Sequence, residues 1–394
     1  MSKLPDYIGP VAFGLKMGVI LPGMSIVDLI FEQLCRCHRD GLLDDGDIVC
    51  ITESVVARAQ NNYVTTADIA REVQLKLGLS EEGKVAVVFP IASRNRFSMV
   101  LKGIAEAVPR GKVLVQFSYP CDEVGNQIIP PEVAKELGGD LITLEDLAGR
   151  CFKHPITGVD YVGLYRSIIE AAGAEAIIYF CNDPAAVARF EPDGVIAADI
   201  HSRAETKQII RRLINNCLSL DDMCTEGPAC SEWGLLGSNM SAGNKLKLAP
   251  RDGKKVVYAL QRKVAEQLHV RVEVMIYGDG AYRDPSSGIY ELADPQPAFA
   301  VTGGLKGFRE GVKLKYLADR YYHEYGKSAA EIEQILEQSK PGALSGDSME
   351  KEGTTPRRME DILASLADLV SGSADAGTPV VIIKGFLPGA CSGV

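Results

Sequence analysis

The sequence lacks several features that would assign it to a class at once. Its ten cysteines include no CxxC pair, which disfavours a zinc ribbon or a thioredoxin-like redox motif. No uninterrupted apolar run reaches the roughly 18 residues of a membrane-spanning helix, and the stretch MSKLPDYIGP lacks the apolar core of a secretory signal. The net charge of −10 disfavours a partner bound through nucleic-acid phosphates. We therefore expect a cytoplasmic protein with reduced thiols that binds neither nucleic acid nor a membrane.

What the sequence does contain is typical of a globular protein. Its 394 residues suffice for about two or three domains, and 46% hydrophobic with 24% charged residues leave little room for disorder. From about residue 84 to 217, short β-rich runs such as KVAVVFPI and AEAIIYFC alternate with helical patterns. This alternation predicts a mostly parallel sheet covered by helices, and thus a mixed α/β fold class.

Amphipathic helices are predicted within this region and outside it. Residues 19–43 form one such pattern, with Ser25 as the helix cap, and residues 65–78 form another. The stretch AETKQIIRRLINNCL (204–218) predicts a helix after the last strand-like run. Near the C-terminus, the charged, Gly- and Pro-containing segment 341–358 is predicted to be mobile and to close over a ligand.

Polar side chains follow the strand-like runs of the alternating region, where α/β sheets commonly bind ligands. They are Ser93, Arg94 and Asn95 after the first run, Asn182 and Asp183 after the third, Asp199, His201, Ser202 and Arg203 after the fourth, and the loop 154–161. Two interpretations remain open. Each group caps a helix or solvates a turn by itself, or together they line a small-molecule cleft.

The stretch RVEVMIYGDGAYRDPSSG contains the most specific candidate for chemistry. It begins as a strand entering a core and then turns at Gly278-Asp279-Gly280, where glycines permit a tight turn and close approach of a ligand. The Asp279 carboxylate, with Arg283 four residues on, suits Mg²⁺ or Mn²⁺ and phosphate oxygens. A solvated Asp-Gly turn explains the same residues, so the pattern alone leaves both interpretations open.

Two further segments place polar groups where a sheet would expose them. Ser54 and Arg58 follow the strand IVCIT, either at a ligand-binding strand end or in a solvated helix start. The loop GLLGSNMSAGNKLKLAP supplies free backbone N–H groups and small side chains, which can hold anionic oxygens. It is not a Walker motif, because it lacks the GKS ending.

Three blocks of the sequence follow one another as they do in a known family. These blocks are GDIVCITESVVARAQ, then LGSNMSAGNKLKLAP with its following helix and RVEVMIYGDGAYR, and finally MEDILASLADLVSGSADAGTPVVIIKGF. In them the chain resembles the coenzyme F420-0:γ-glutamyl ligase family, over about half its length. The resemblance implies a γ-glutamyl-ligase-like fold whose core is formed by residues 1–89 and 226–394. Residues 90–225 are then a large inserted α/β region.

The resemblance also implies a reaction. In that family GTP, L-glutamate and a divalent metal ion, Mg²⁺ or Mn²⁺, drive the formation of an amide. The acceptor carboxylate is phosphorylated, and the glutamate amine then displaces the phosphate. The implied protein is a homodimer that binds the nucleotide together with a small-molecule acceptor. The predicted activity is therefore that of a ligase forming C–N bonds.

Carried over by position, the resemblance assigns roles to particular residues. Asp279 matches a metal-binding aspartate and Arg283 the arginine that follows it, so both are implied to be catalytic. Asn239 stands where the family has its other metal-binding aspartate, and Glu360 and Asp361 lie where the family closes over the metal. The implied nucleotide-binding positions are Ser54, Arg58, Gly237, Ser241 (or Asn244, if the alignment slips), Thr354 and Thr355.

Several of these positions depart from the family pattern. Gly280 lacks the hydroxyl of the family's threonine, Asn239 is a neutral amide, and Ser54 replaces a lysine. Either the inserted region supplies replacements or the chain has left the original reaction. Candidates for such replacements are Asp199, His201, Arg203 and Asp284. The second hypothesis is therefore a non-catalytic protein that binds a nucleotide or another ligand, or a regulatory protein.

Overall fold

The computed structural model gives the bounds of the helices and strands. It describes residues 4–5, 7–278, 282–283, 290–291, 293–309, 311–338, 348–349, 357–371 and 377–387. The strands are β1 (Val11–Leu15), β2 (Ile48–Thr52), β3 (Tyr63–Thr65), β4 (Lys84–Val88), β5 (Lys112–Phe117), β6 (Ile142–Thr143), β7 (Glu175–Phe180), β8 (Gly194–Ala197), β9 (Cys217–Ser219), β10 (Asn239–Met240), β11 (Lys245–Lys247), β12 (Glu273–Tyr277), β13 (Tyr282–Arg283), β14 (Tyr290–Glu291), β15 (Ala298–Val301), β16 (Phe308–Arg309), β17 (Arg357–Arg358) and β18 (Val380–Lys384). The helices are α1 (Ile26–Arg39), α2 (Glu53–Ala59), α3 (Thr66–Leu77), α4 (Ser98–Ala107), α5 (Pro131–Leu137), α6 (Tyr161–Ala171), α7 (Arg203–Arg211), α8 (Gly253–Leu268), α9 (Leu314–Tyr325), α10 (Ala329–Gln338) and α11 (Met359–Ser371).

Five strands from both ends of the chain form a mixed sheet in the spatial order β1-β18-β2-β12-β15. β2 and β12 run parallel, whereas the other neighbouring pairs run antiparallel. This order brings the carboxyl ends of β1, β2 and β12 and the amino ends of β15 and β18 to one edge. We call it the cleft edge of the mixed sheet.

The mixed sheet is buried on both faces, which explains why its strands are continuous apolar runs. In β2, Val49 and Ile51 pack against α1 and α8, whereas Ile48 and Cys50 pack against α11. The alternation arises because successive side chains of a strand point to opposite faces. Full burial of one such aliphatic side chain stabilises the fold by about 1.5–3 kcal/mol relative to exposure. The two cores therefore hold the cleft edge in place.

Strands β4 to β9 form a second sheet in the order β6-β7-β5-β4-β8-β9, which we call the parallel sheet. Every neighbouring pair in it is parallel except β6 with β7. Helices α3, α4 and α6 cover one face and α7 covers the other. The direction of chain progression reverses between β4 and β8, so this doubly wound sheet has its switch point there. The predicted mixed α/β fold class is confirmed.

A small antiparallel sheet of order β10-β11-β3 connects the two large sheets. β3 continues directly into α3, whose N-terminus is closed by a capping box between Thr65 and Asp68. α3 then packs on α4 so closely that a Cβ added at Gly103 would lie 2.7 Å from Cβ of Ile69. The small sheet is therefore fixed to the helical layer of the parallel sheet. The division of the chain at 89/90 and 225/226 stays a prediction.

Two predicted helices are shorter in the structure. α1 is capped by Ser25 as expected, but it ends at Arg39 rather than 43, before Gly41 in the left-handed region. The predicted helix 204–218 is wrong at its end, because α7 stops at Arg211 and the chain continues into β9. β9 pairs in parallel with β8, so hydrogen bonding at the sheet edge replaces the last helical turn.

The segment 341–358 lies almost entirely outside the described residues. Its last two residues form β17, which pairs with β16. Among the described residues, no helix is long and apolar enough to cross a membrane.

Candidate functional site

A cleft of about 810 Å³ opens along the cleft edge of the mixed sheet. Its first wall consists of segments that leave or enter this sheet, together with the last turns of α11. These residues are Gly18 after β1, residues 52–55 and Arg58 after β2, Gly278 after β12, residues 377–379 before β18, and Asp368 and Ser371 of α11. The volume lies in the range of small-molecule sites, about 300–1,000 Å³.

The second wall comes from the small sheet and from the parallel sheet. It is formed by Tyr63, by the β10–β11 hairpin and by the loop after β4. This loop contributes Asn95 and Arg96. The amide of Met240 in β10 donates to the carbonyl of Asn95 at 2.6 Å. The hairpin and the loop therefore form one continuous wall.

Helix α2 starts where β2 ends, and this junction presents two of the predicted residues to the cleft. Thr52 has extended backbone angles, φ −64° and ψ 137°, and Glu53 is the first helical residue. Ser54 and Arg58 are four positions apart, so they lie on the same face of the helix. Both line the cleft.

Glu53 and Lys247 form a buried ion pair in the cleft. Lys247 Nζ lies 2.6 Å from Oε1 and 2.7 Å from Oε2 of Glu53, and both side chains are less than one-tenth exposed. Burial raises the pKa of Glu53, and the positive charge of Lys247 opposes this effect. Both carboxylate oxygens accept hydrogen bonds from one ammonium group, so the pair fixes the position of Lys247 relative to α2.

A second buried ion pair joins the loop after β4 to the segment before β15. Arg96 Nη1 donates to Oδ1 of Asp294 at 2.7 Å, and the two side chains are 16% and 1% exposed. After burial and Lys247, the charge of Asp294 further raises the pKa of Glu53, while Arg96 lowers it. The two ion pairs are therefore close enough to interact electrostatically.

The loop before β10 depends on a glycine at its entry. Gly237 has a φ of 67°, in the left-handed region that favours glycine, and a Cβ there would lie 3.0 Å from Cζ of Phe299. The chain then enters the hairpin, in which Asn239 pairs with Lys247. Asn239 is thus held next to the buried ion pair.

The structure brings four predicted ligand-binding residues to one cleft. Ser54 and Arg58 line it from the first wall, and Asn239 and Ser241 line it from the second. Gly237 lines a smaller cavity beside the cleft, and Arg96 contributes to both spaces. Residues from two blocks that are far apart in sequence therefore face the same volume.

Other predicted site residues lie elsewhere. Asn244 is exposed, and its Oδ1 accepts from a lysine of α4 at 3.0 Å rather than lining the cleft. Glu360 and Asp361 lie in the first turn of α11, about 10 Å along the helix axis from the cleft residue Asp368. Outside the described residues are Asp279, Thr354, Thr355 and Asp284, together with the side chain of Arg283. Their roles stay predictions.

The polar groups that follow the strands of the parallel sheet mostly form hydrogen bonds with other residues of the same sheet and its loops. Asp199 is buried and accepts from Oγ1 of Thr206 at 2.8 Å, and burial raises the pKa of Asp199 to about 7. The carboxylate of Glu123 accepts the amides of residues 200–202. Similar local roles belong to Asn182 with Tyr119, Asp183 with Ala185, and Arg203 with Asp221. Of the polar residues predicted after these strands, Asn95 lines the cleft.

Several cleft residues were not predicted from the sequence. Glu53 adjoins Ser54 at a strand end, and Lys247 belongs to the Gly/Ser/Asn-rich stretch, so both had a local signal. Arg96 directly follows Asn95, so it had a local signal too. Its partner Asp294, which does not itself line the cleft, had none, because Arg96 is 198 positions away. Asp368 lies in an amphipathic helix, where its position suggests only a solvated face.

The described residues supply nitrogen and oxygen ligands but no preformed cluster for a metal ion. In the described ranges, no group of three or more His, Cys, Asp or Glu side chains is arranged to hold one. The nine cysteines that the structure describes are free thiols. The described carboxylates that line the cleft are those of Glu53 and Asp368.

The sequence matches the model of the family described as F420-0:Gamma-glutamyl ligase over residues 14–385. This range includes the cleft and the parallel sheet. No curated protein matches the chain. The resemblance indicated by three sequence blocks is confirmed, and the chain belongs to the F420-0:gamma-glutamyl ligase family.

Proposed function

We propose that the protein is a nucleotide- and metal-dependent ligase that joins L-glutamate, or another amino acid, to a carboxylate acceptor. The observation that carries this proposal is the convergence of Ser54, Arg58, Asn239 and Ser241 on one cleft. Gly278 lines the same cleft, so the chain enters Asp279 from its wall. Membership of the family supports addition of glutamate as the reaction.

The proposed reaction balances with one nucleotide consumed per amide formed. An acceptor carboxylate oxygen attacks the terminal phosphorus of GTP, and GDP leaves. The glutamate nitrogen then attacks the acyl carbon, the bond to phosphate breaks, and the ammonium protons lost are taken up by phosphate and solvent. Arg58 offsets charge on the phosphates, and the hydroxyl of Ser241 donates a hydrogen bond to them.

The charges of the described cleft residues support a requirement for Mg²⁺ or Mn²⁺. Arg96 and Lys247 are each paired with a buried carboxylate, and the cleft lining contains one further cation, Arg58, and one further anion, Asp368. These side chains therefore contribute no net positive charge to balance a bound triphosphate. A divalent ion, held by Asp279 and Asn239, would supply that charge and polarise the phosphoryl oxygens.

Ligand binding tests the first half of this proposal. We expect GTP to raise the melting temperature only when Mn²⁺ or Mg²⁺ is present, with ATP as the competing nucleotide. Arg58→Met should weaken GTP binding about tenfold or more, because a hydrogen bond to a charged phosphate is lost. Arg71→Met is the matched control, since the Arg71 side chain is 75% exposed and lies outside the cleft. Equal GTP affinity in both variants would refute the assigned site.

Turnover tests the second half. With coenzyme F420-0 as acceptor, GDP and phosphate should be released in equal amounts and only when L-glutamate is present. Size-exclusion chromatography with light scattering checks the proposed homodimer in the same preparation. Asp279→Asn should abolish metal-dependent GTP binding with little change in melting temperature.

The neutral residue at position 239 favours one alternative. An amide contributes no charge to a metal site, so metal affinity falls relative to an aspartate. A protein that binds nucleotide but forms no amide with any acceptor would be a regulatory or ligand-binding member of the family. Nucleotide binding without glutamate-dependent phosphate release is the result that would favour it.

A further inference from the structure

The loop after β4 lies at the switch point of the parallel sheet, yet it is built to leave that sheet. Phe89, directly after β4, has a φ of 57°, which is uncommon for a residue with a side chain. Two hydrogen bonds to side chains of the parallel-sheet region then fix the loop. The amide of Ala92 donates to Oδ2 of Asp122 at 2.7 Å, and the amide of Ser93 donates to the buried hydroxyl of Tyr165 at 3.1 Å. These bonds make the loop a rigid support.

The tip of this loop contacts the opposite hairpin and the segment before β15. Asn95 and Arg96 line the large cleft. The backbone carbonyl of Asn95 accepts a hydrogen bond from the amide of Met240 in the opposite hairpin. Arg96 reaches Asp294, which is 1% exposed and lies just before β15 in the mixed sheet. A doubly wound sheet commonly binds its ligand at this edge. Here the edge contributes to a neighbouring site.

Asp294 in turn lies directly against the backbone of Gly278. A Cβ added at Gly278 would lie 2.3 Å from Oδ2 of Asp294 and 2.8 Å from Cε2 of Phe299. The amide of Gly278 donates to the carbonyl of Pro297 at 2.8 Å. The Gly278 backbone is thus held between β15 and the Asp294 carboxylate. Asp294 and Phe299 therefore limit where the Gly278 backbone can lie.

We infer that Arg96 is a positioning residue of the ligase: by fixing Asp294 against Gly278, it sets where the chain leaves the cleft wall and continues into Asp279. This inference rests on the proposed function and gives the loop after β4 a task within it. Arg96 acts through Asp294 and Gly278 and is not assigned to the transferred phosphoryl group. A purely structural ion pair would affect folding but not the rate of the folded enzyme.

The kinetic test compares Arg96→Met with Arg110→Met. Arg110 belongs to the same region but pairs with Glu81 at the surface, where its side chain is 61% exposed. With GTP, Mn²⁺, L-glutamate and coenzyme F420-0, we expect kcat of Arg96→Met to fall about 10- to 100-fold, the range seen for residues that orient metal ligands. KM for GTP should stay within about threefold. Arg96→Lys should recover part of kcat, since it keeps the charge at Asp294.

Three kinetic results would overturn the inference. They are a kcat of Arg96→Met within twofold of wild type, an equal fall in the Arg110→Met control, and a loss that only follows the melting temperature and is not recovered by Arg96→Lys. If Arg96→Met does not fold, Arg96→Met/Asp294→Asn removes both charges. This double variant should fold and remain slow, and a wild-type kcat in it would refute the positioning role.

Hydrogen exchange separates this inference from the proposed function. Arg96→Met should speed hydrogen exchange of the Gly278 amide about tenfold or more, because the hydrogen bond of this amide to Pro297 depends on the packing of Asp294 against Gly278. Exchange at the amides of β4 should not change. Failure of the wild-type protein to form an amide would refute the proposed function. Hydrogen exchange would still show whether Arg96 controls the position of Gly278. Unchanged exchange at Gly278 in active protein would refute the inference alone.

Discussion

The buried ion pair between Lys247 and Glu53 leads to a quantitative prediction for stability. Lys247→Met leaves the Glu53 carboxylate less than one-tenth exposed and without its ammonium partner. Removal of one partner from a buried pair costs about 3–5 kcal/mol, because the remaining charge stays desolvated. We therefore expect the free energy of unfolding to fall by about that amount at pH 7.

The pH dependence of this loss in stability follows from the direction in which the pKa of Glu53 is shifted. Burial raises the pKa of Glu53, and without Lys247 the main opposing charge is gone. A carboxyl group whose pKa is raised in the folded state stabilises most below its unfolded pKa and loses that contribution as the pH rises. The deficit of Lys247→Met should accordingly shrink as the pH is lowered from 7 towards the unfolded pKa of glutamate.

Urea unfolding followed by tryptophan fluorescence measures this prediction. Trp233 is the single tryptophan and packs against the cores of both large sheets, so its emission reports on each of them. Glu53→Met/Lys247→Met should restore stability to within about 1 kcal/mol of wild type, because a buried apolar pair avoids the desolvation cost. The control is Lys112→Met, which breaks an exposed pair with Glu175 and should cost at most about 1 kcal/mol.

Two outcomes would refute this reasoning. A loss below about 1 kcal/mol in Lys247→Met at pH 7 would mean that water solvates Glu53 and that the pair resembles a surface one. A large loss that the double variant fails to recover would mean that Lys247 stabilises the hairpin by packing rather than through its charge.

Further predictions concern three other positions. Burial raises the pKa of Asp199 to about 7 from 3.8, so its contribution to stability is complete below about pH 4 and is lost as the pH rises to 7. Asp199→Asn should remove this dependence of the unfolding free energy on pH, measured by urea unfolding at several pH values. It should also increase stability at pH 8 by at most about 4 kcal/mol. Gly237→Ala should destabilise by about 1–2 kcal/mol in the same assay, since alanine is disfavoured at a φ of 67° and crowds Phe299. Tyr165→Phe should cost about 1–3 kcal/mol and loosen the loop after β4 in hydrogen exchange, because the Ser93 amide loses its acceptor.

The sequence predicted most of the large elements because each has a strong local pattern. β4, β5, β7 and β8 are apolar runs bounded by turn residues, and the structure places them in one sheet as expected. β9 escaped prediction because it has only three residues and follows an amphipathic helix. Its extended conformation depends on parallel pairing of Cys217 with Val195, a contact that no short window contains.

The candidate site was predictable to the extent that its residues lie at strand ends. Ser54 and Arg58 follow β2, and Asn239 lies in a loop rich in small residues, so each could be selected locally. The two ion pairs could not, because their partners are 194 and 198 positions apart. The strand-end pattern marks the neighbourhood of Glu53 and of Arg96, but the fold is needed to show which charges these side chains contact.

The location of the two ion pairs argues for a cleft whose walls are set before a ligand binds. Glu53 belongs to the first wall and Lys247 to the second, while Arg96 extends from the second wall to Asp294 beside β15. Separating the walls would break both ion pairs, which is unfavourable because three of the four side chains are less than one-tenth exposed. A nucleotide therefore meets a preorganised surface, and none of its binding free energy is needed to bring these walls together.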